Sequence, residues 1–303
     1  MIGFFTSLLQ QVLLFFPLVL AMYVAHVFLH IPDLSIQGSY VLGAALFAKA
    51  LHLSLPLPLS FLLAILGGAC SGLFMALIQY REKIHPLVAG VLSLYILHSL
   101  FLLIMGKPNL SLLNYQTYFH LFASHLPPSL APYAQLLLLV ISALILSLLL
   151  FFFLSSARGK VLRAFGENRF LLKRWGKNIE QVRMEGLMIS GMLAAFSGFL
   201  SAQMHGFCEI SMGEGQAIVG IVCVLIGQQL YRQFHSGCSF SLSWSLFFCF
   251  CGTLLYYGVL HLFLHLGVPP IYLQMIMGIG MILSLLLTTS RPFLFSDSFE
   301  SQV

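Results

Sequence analysis

The chain has 303 residues, of which 59% are hydrophobic and only 8% are charged. Soluble globular proteins carry about 25% charged residues, so this composition excludes most soluble classes. The apolar residues come in blocks long enough to cross a hydrocarbon core of roughly 30 Å, which takes about 20 helical residues. We therefore expect an all-α, polytopic membrane helix bundle.

Nine apolar blocks follow one another along the chain. They cover residues 4–30, 38–53, 58–80, 84–105, 131–157, 184–204, 215–230, 240–265 and 270–289. They predict about nine spans, within a range of eight to ten, in a single transmembrane domain over residues 1–303. The first block has no Lys or Arg before it and no convincing cleavage site, so it is predicted to be a membrane helix and not a removed signal peptide.

Two blocks, 38–53 and 215–230, are shorter than a comfortable span, and each follows a polar turn with glycine. Such pairs are typical of broken helices near a transport site. The candidate translocation-pathway residues at the two breaks are Asp33, Ser35, Gly38, Glu209, Met212, Gly213 and Glu214. Other roles stay open, because Asp33 or Ser35 would also cap the following helix, and Glu209 and Glu214 would line the path, gate it or lie in an exposed loop.

The basic residues of the loops predict the orientation, because Lys and Arg in short loops favour the cytoplasm. The loop at Arg81, the segment 158–183, Arg232 and Arg291 can all lie on that side. The N-terminus is then outside, the C-terminus is cytoplasmic, and residues 107–131 form the largest external loop.

Small residues recur at the spacing of one helix face, where they allow membrane helices to approach closely. One stripe lies in the block that starts near residue 184 and another in the block 58–80. The stripes are Gly186, Ser190, Ala194, Gly198 and Ala202 in the first, and Gly68 with Gly72 in the second. We expect a compact bundle packed along these seams.

The charge of the protein is concentrated in one place. The whole chain has a formal net charge of +5, and residues 158–185 hold eight basic and three acidic residues. The rest of the chain is therefore neutral. Apolar residues in this segment recur at steps of three and four, which predicts one face of a helix.

The glycines of this segment predict a short helix between Gly166 and Gly176, capped by Asn168 and ended by Gly176. Asn178 resembles the cap of the next membrane helix. A short, cationic, amphipathic helix at the cytoplasmic surface has three interpretations: a patch that binds anionic lipid, an orientation signal, or a surface that docks a cytosolic partner.

Other chemistry finds little support in the sequence. There is no GxxxxGK[ST] loop, so any nucleotide that powers the protein is bound by another chain. His261 and His265 stand four apart but have no evident third ligand, and we expect no metal site. A secondary transporter that couples ions through Asp33 or Glu214 remains an alternative. An intramembrane enzyme is disfavoured, because the spans contain no convincing pair of nucleophile and base.

Several motifs together resemble a known family. They are Arg163-Ala-Phe-Gly-Glu-Asn168, Trp175-Gly-Lys-Asn-Ile179, Gly191-Met-Leu-Ala-Ala-Phe-Ser-Gly198 and Met212-Gly-Glu-Gly215. In this order they resemble the permeases of ABC importers in the branched-chain amino acid and ribose superfamily. The motifs Ile31-Pro-Asp-Leu-Ser-Ile-Gln-Gly-Ser39, Ile84-His-Pro-Leu-Val-Ala-Gly90 and Ile104-Met-Gly-Lys-Pro-Asn-Leu-Ser-Leu112 resemble a branch associated with tryptophan- and tyrosine-type binding proteins.

The resemblance implies a permease subunit, paired with a second copy, in the bacterial inner membrane. Its partners would be an ATPase subunit that uses ATP and Mg²⁺, an extracytoplasmic substrate-binding protein and membrane lipid, with no nucleic acid. The chain itself would hold no cofactor and carry out no chemistry. The ATPase-coupling residues would be Arg163, Gly166, Glu167, Asn168, Arg169, Lys173, Arg174, Trp175 and Gly176. The uncharged stretch Pro269–Gln274 departs from the branch.

Overall fold

The fold was analysed in a computed structural model, which describes residues 2–80, 84–125, 127, 133–234, 241–269, 272, 275 and 278–279. Eleven α-helices lie in these ranges. They are α1 (Ile2–Tyr23), α2 (Ser35–His52), α3 (Leu57–Ile78), α4 (Pro86–Met105), α5 (Tyr118–His125), α6 (Ala134–Ser155), α7 (Ala157–Glu167), α8 (Arg169–Arg174), α9 (Ile179–His205), α10 (Gln216–Phe234) and α11 (Leu242–His265). A π-helical turn, Val24–Phe28, extends α1, and a 3₁₀ turn, Ile210–Gly213, precedes α10.

The helices confirm the predicted fold class of an all-α polytopic bundle. Seven helical segments within the described ranges are long and apolar enough to cross a membrane. The short block 38–53 forms α2, which has 18 residues and is not one of the seven. The block 270–289 lies almost wholly outside the described residues, so the count of nine spans stays a prediction.

Close contacts between small residues hold α9 against its neighbours. A Cβ on Gly191 would collide with the backbone oxygen of Gly68, and one on Gly72 with that of Leu187. The backbone of α2 is equally close, because a Cβ on Gly198 would meet the oxygen of Tyr40. The predicted seams are confirmed and extended, since Gly191 belongs to neither predicted stripe.

The order of contacts gives the directions of the helices. Ser190 donates a hydrogen bond to the Ala21 oxygen (3.1 Å), and Ser197 donates one to the Leu14 oxygen (2.8 Å). The chain numbers fall along α1 as they rise along α9, so the two helices are antiparallel. The end of α1 and the start of α9 therefore lie on the same side of the bundle.

A short β-ribbon, which the sequence did not predict, lies at the opposite end of α9. Strand β1 (Asn109–Ser111) pairs with β2 (Phe207–Glu209) in antiparallel register, with Leu110 opposite Cys208. The ribbon thus joins the predicted external loop to the turn between α9 and α10. The end of α2 reaches it as well, because His52 Nε2 lies 3.2 Å from the oxygen of Ser111.

The described residues fall into two compact units, Met1–Leu254 and Leu255–Val303. The first contains α1 to α10 and the β-ribbon, and with them every predicted pathway and coupling residue. The second contains the last part of α11.

Candidate coupling and translocation sites

The basic segment folds as two short helices joined at Asn168. The Asn168 side chain accepts a hydrogen bond from the Leu171 amide (3.0 Å) and so caps α8. Asn178 accepts one from the Glu180 amide (3.1 Å) and caps α9 in the same way. Both predicted caps are confirmed, because each side chain satisfies an amide that the first helical turn leaves without a partner.

The predicted short helix between Gly166 and Gly176 is observed as α8, but Gly166 does not interrupt the helix before it. Helix α7 runs through Gly166 to Glu167, and α8 begins after Asn168. Tertiary packing requires glycine at position 166, because a Cβ there would lie 2.5 Å from the Phe28 oxygen and 2.6 Å from His30 Nδ1. Gly176, beyond the end of α8, has the left-handed φ of 70° that glycine adopts readily.

The two helices bury one set of apolar side chains and expose another. Phe165 and Leu172 are fully buried. Phe170 and Trp175 are 71% and 64% exposed, beside the exposed Lys173 and Arg174, while Arg163 is half-buried and Glu167 is exposed. The segment is thus fixed to the bundle by one face and offers aromatic and cationic side chains on another.

The coupling segment, residues 158–183, contacts the end of α1. Arg169 Nη2 donates to the backbone oxygen of Leu29 (3.5 Å), and its guanidinium lies 4.8 Å from the Phe165 ring centroid. His30 has a φ of 54°, which is uncommon outside glycine. Partial burial lowers the pKa of His30, the positive charge of Arg169 lowers it further, and Glu167 opposes both. These effects together disfavour the charged imidazole where it meets α7.

The first break follows this contact directly and is buried. Asp33 is 2% exposed, and its Oδ1 accepts a hydrogen bond from the Ser35 amide (2.8 Å). Ser35 is also buried, and its hydroxyl has no hydrogen-bond partner among the described residues. A Cβ on Gly38 would lie 2.8 Å from Leu97 Cδ1 on α4. The capping role of Asp33 is observed, and it leaves a pathway role as a prediction.

The second break is more open. It consists of β2, the 3₁₀ turn Ile210–Gly213 and a left-handed Gly215 with φ 76° before α10 starts. Gly213 is buried, while Glu209 and Met212 are half-buried. Glu214 is exposed, unlike Asp33. The two acids proposed from the same sequence pattern thus occupy different environments.

The two breaks touch each other through Gly213. A Cβ on this glycine would lie 2.8 Å from the Gln37 oxygen in the first turn of α2, and it would also collide with Val41 Cγ2. The sequence predicted the breaks as a pair, and the structure brings them into contact. The chain therefore connects the coupling segment, the end of α1, the start of α2 and the second break in one series of contacts.

Arg183 has a role that sequence reasoning missed. It is 2% exposed, and its Nη1 donates to the Gln79 oxygen (2.9 Å) and lies 3.3 Å from Glu180 Oε2. The guanidinium therefore joins the end of α3 to the start of α9. Sequence reasoning assigned this residue no role beyond its charge, and the signal for burial was its position one turn into a membrane helix.

His261 contacts the backbone of its own helix, α11. His261 Nδ1 lies 3.2 Å from the Tyr257 backbone oxygen one turn earlier. Within the described ranges, no group of three or more His, Cys, Asp or Glu residues is arranged to hold a metal ion.

Comparisons with known proteins agree with the resemblance in the sequence motifs. Residues 4–285 match the family described as the permease component of the branched-chain amino acid transport system. A protein of Rickettsia prowazekii, described only as uncharacterised, is 40% identical over 277 residues, which cover 91% of this chain and 95% of that protein. A tyrosine transport system permease of Clostridioides difficile is 32% identical over 228 residues, or 75% of this chain and 74% of the relative.

An autoinducer 2 import system permease of an Enterobacter species is more distant, at 25% identity over 201 residues, or 64% of this chain and 55% of the relative. No solved structure matches the chain. The family match covers nearly the whole sequence, including both breaks and the coupling segment. The chain therefore belongs to the permease family of branched-chain amino acid transport systems.

Proposed function

We propose that this chain is the membrane-spanning permease subunit of an ATP-driven ABC importer for an amino acid of the aromatic class. Two copies would form the path, each engaging an ATPase subunit, and an extracytoplasmic binding protein would deliver the substrate. The bacterial inner membrane would hold the assembly with the N-terminus outside. The observation that carries the proposal is the coupling segment, which is anchored on α1 yet exposes Phe170, Trp175, Lys173 and Arg174.

The contacts described above suggest how movement passes inward. An ATPase bound to α8 would displace α7, whose Gly166 lies directly on Phe28 and His30. This movement enters the chain a few residues before Asp33 and α2. Because α2 contacts Gly213, a movement of α2 would shift the two breaks together. The shift would open the path alternately to each side of the membrane, as broken helices do in other transporters.

The proposed substrate class rests on relatives. The tyrosine transport system permease supports an aromatic amino acid, and the branched-chain family supports amino acids in general. Within an importer, the binding protein sets most of the selectivity. The pathway residues around Asp33 and Gly213 would then admit a small solute without recognising each of its atoms.

Reconstituted transport tests the proposal. The permease is placed in proteoliposomes with its partner ATPase and binding protein, and uptake of radiolabelled tyrosine is measured. We expect uptake that requires ATP and the binding protein and that a proton uncoupler does not change. Uptake driven by an ion gradient without the ATPase would instead support a secondary transporter that uses Asp33 or Glu214.

A further inference from the structure

A notch opens beside the coupling segment where four helix ends meet. Its volume is about 220 Å³, and it lies between the end of α3, the start of α4, the first residue of α8 and the first turns of α9. We call it the arginine notch, after two of its lining residues. The residues that line it include Ile31, Gln79, Ile84, His85, Arg169 and Arg183.

The arginine notch has a largely apolar lining into which Gln79, Arg169 and Arg183 bring hydrogen-bond donors. Arg169 and Arg183 each contribute a planar guanidinium group with several N–H donors in a fixed geometry. Gln79 is 2% exposed, and its Nε2 is buried with no hydrogen-bond partner in the part of the chain that the structure describes. None of the described lining residues is acidic, although Glu180 lies nearby on Arg183.

A buried amide donor without an acceptor is destabilising, so an acceptor that reaches Gln79 Nε2 would be stabilising. Because two guanidinium groups share the same lining, the acceptor that fits best carries negative charge. Carboxylates form charge-assisted and often bidentate hydrogen bonds with arginine. The chemistry of the notch therefore selects a carboxylate.

The size and position of the notch indicate where this carboxylate comes from. Pockets that hold small molecules usually measure about 300–1,000 Å³, and this notch is smaller. Arg169 is the first residue of α8, and its neighbour Phe170 is 71% exposed on the surface that we propose docks the ATPase. A protein seated on α8 would carry its side chains to the mouth of the notch.

We propose that the arginine notch receives an Asp or Glu side chain of the ATPase subunit, an inference that rests on the proposed function. The carboxylate binds Arg169 on α8 and Arg183 on α9 together and accepts from Gln79 at the end of α3. It ties the coupling segment to two membrane helices at once. Movement of the ATPase then reaches α3 and α9 as well as α1.

A zero-length cross-link tests this proposal in the complete transporter. The Arg169→Lys variant places a primary amine at the notch, and the complex is treated with a water-soluble carbodiimide. The reagent activates a carboxylate as an O-acylisourea, the lysine amine attacks its carbonyl carbon, and an amide forms as the substituted urea leaves. We expect mass spectrometry to find the lysine at position 169 joined to one Asp or Glu of the ATPase, and the Arg158→Lys control, outside the notch, not joined to that acid.

Cross-links from the native Lys173 distinguish failure of the notch proposal from failure of the proposed function. Loss of ATPase co-purification, with no cross-links from Lys173, would count against the proposed function itself. Cross-links from Lys173 to the ATPase with none from position 169 would overturn the notch proposal alone. A cross-link from position 169 to Glu82 of the same chain would also overturn it, because the carboxylate would then be internal.

Discussion

The seam between α3 and α9 and the contact between α7 and α1 both depend on glycine, but they are built differently. In the seam, Gly191 and Gly72 are buried and face backbone atoms. At the α7 contact, one half-buried glycine faces the Phe28 oxygen and a histidine side chain, and the nearby Arg169 hydrogen bond is long, at 3.5 Å.

This difference indicates which part of the protein stays fixed and which part moves. Backbones in direct contact along a seam leave no room for adjustment, because packed interiors behave as solids. A contact that has one glycine, a long hydrogen bond and an exposed outer face can shift at lower cost. We infer that α3 and α9 form a frame and that α7 meets the end of α1 at a joint.

Placing a side chain in the frame should have the largest effect. In Gly191→Val, the new Cβ would collide with the backbone of Gly68. Overpacking a core costs about 1–3 kcal/mol and occasionally more, and here the obstacle cannot rotate away. We expect aggregation or a marked loss of monodisperse protein in detergent by size-exclusion chromatography. Gly3→Val is the control, because nothing lies within 4 Å of that position, and equal yields for both variants would refute the frame.

Reversing the charge on the exposed face of the coupling segment should have the second-largest effect. The double variant Lys173→Glu and Arg174→Glu turns attraction toward an acidic partner into repulsion without removing a buried contact. We expect the dissociation constant for the ATPase to rise about tenfold, which corresponds to ~1.4 kcal/mol, with unchanged thermal stability of the permease. Binding that stays the same as in the wild type, measured by titration of labelled ATPase, would count against docking on α8.

Asp33 distinguishes the structural role of the first break from an ion-coupling role. Asp33→Ala removes the acceptor of the Ser35 amide at a buried helix start, and loss of such a cap typically costs about 1 kcal/mol. Asp33→Asn keeps an acceptor there and removes the charge. We expect the alanine variant to have the lower melting temperature and the asparagine variant to retain ATP-driven uptake. A stable asparagine variant without uptake would favour the ion-coupled alternative.

The smallest expected effect is a pH dependence of thermal stability that arises from His30 at the joint. Because the folded state lowers the pKa of His30, the unfolded chain binds more protons as pH falls below the ordinary histidine value of about 6.5. The stabilising contribution is therefore complete above that value and declines in acid. We expect the wild type to lose slightly more thermal stability than His30→Asn between neutral and mildly acidic pH. Parallel losses in both proteins would show that His30 does not contribute.

The sequence predicted features that depend on local pattern. Apolar length gave the membrane helices, and the caps at Asn168 and Asn178 follow from side chains that bond to nearby amides. The pairing of the two breaks came from a repeated polar turn, and the contact at Gly213 agrees with it.

Features that depend on distant partners could not be predicted in this way. Gly166 was predicted to interrupt a helix, but its role depends on Phe28, which is far away in the chain. Arg183 was counted only as one of the charges of the basic segment, and the Gln79 oxygen that it binds lies far away in the chain. The β-ribbon has three residues in each strand, too few for a periodic signal.

The most direct test of the joint is the number of substrate molecules imported per ATP hydrolysed by the proposed transporter. In Gly166→Ala, the added methyl group would lie 2.5 Å from the Phe28 oxygen and push α7 away from α1, while the docking face of α8 is unchanged. In proteoliposomes with the ATPase and binding protein, we predict that this variant still binds the ATPase and hydrolyses ATP but imports much less substrate per ATP than the wild type. A wild-type ratio in a correctly assembled Gly166→Ala transporter would contradict the account.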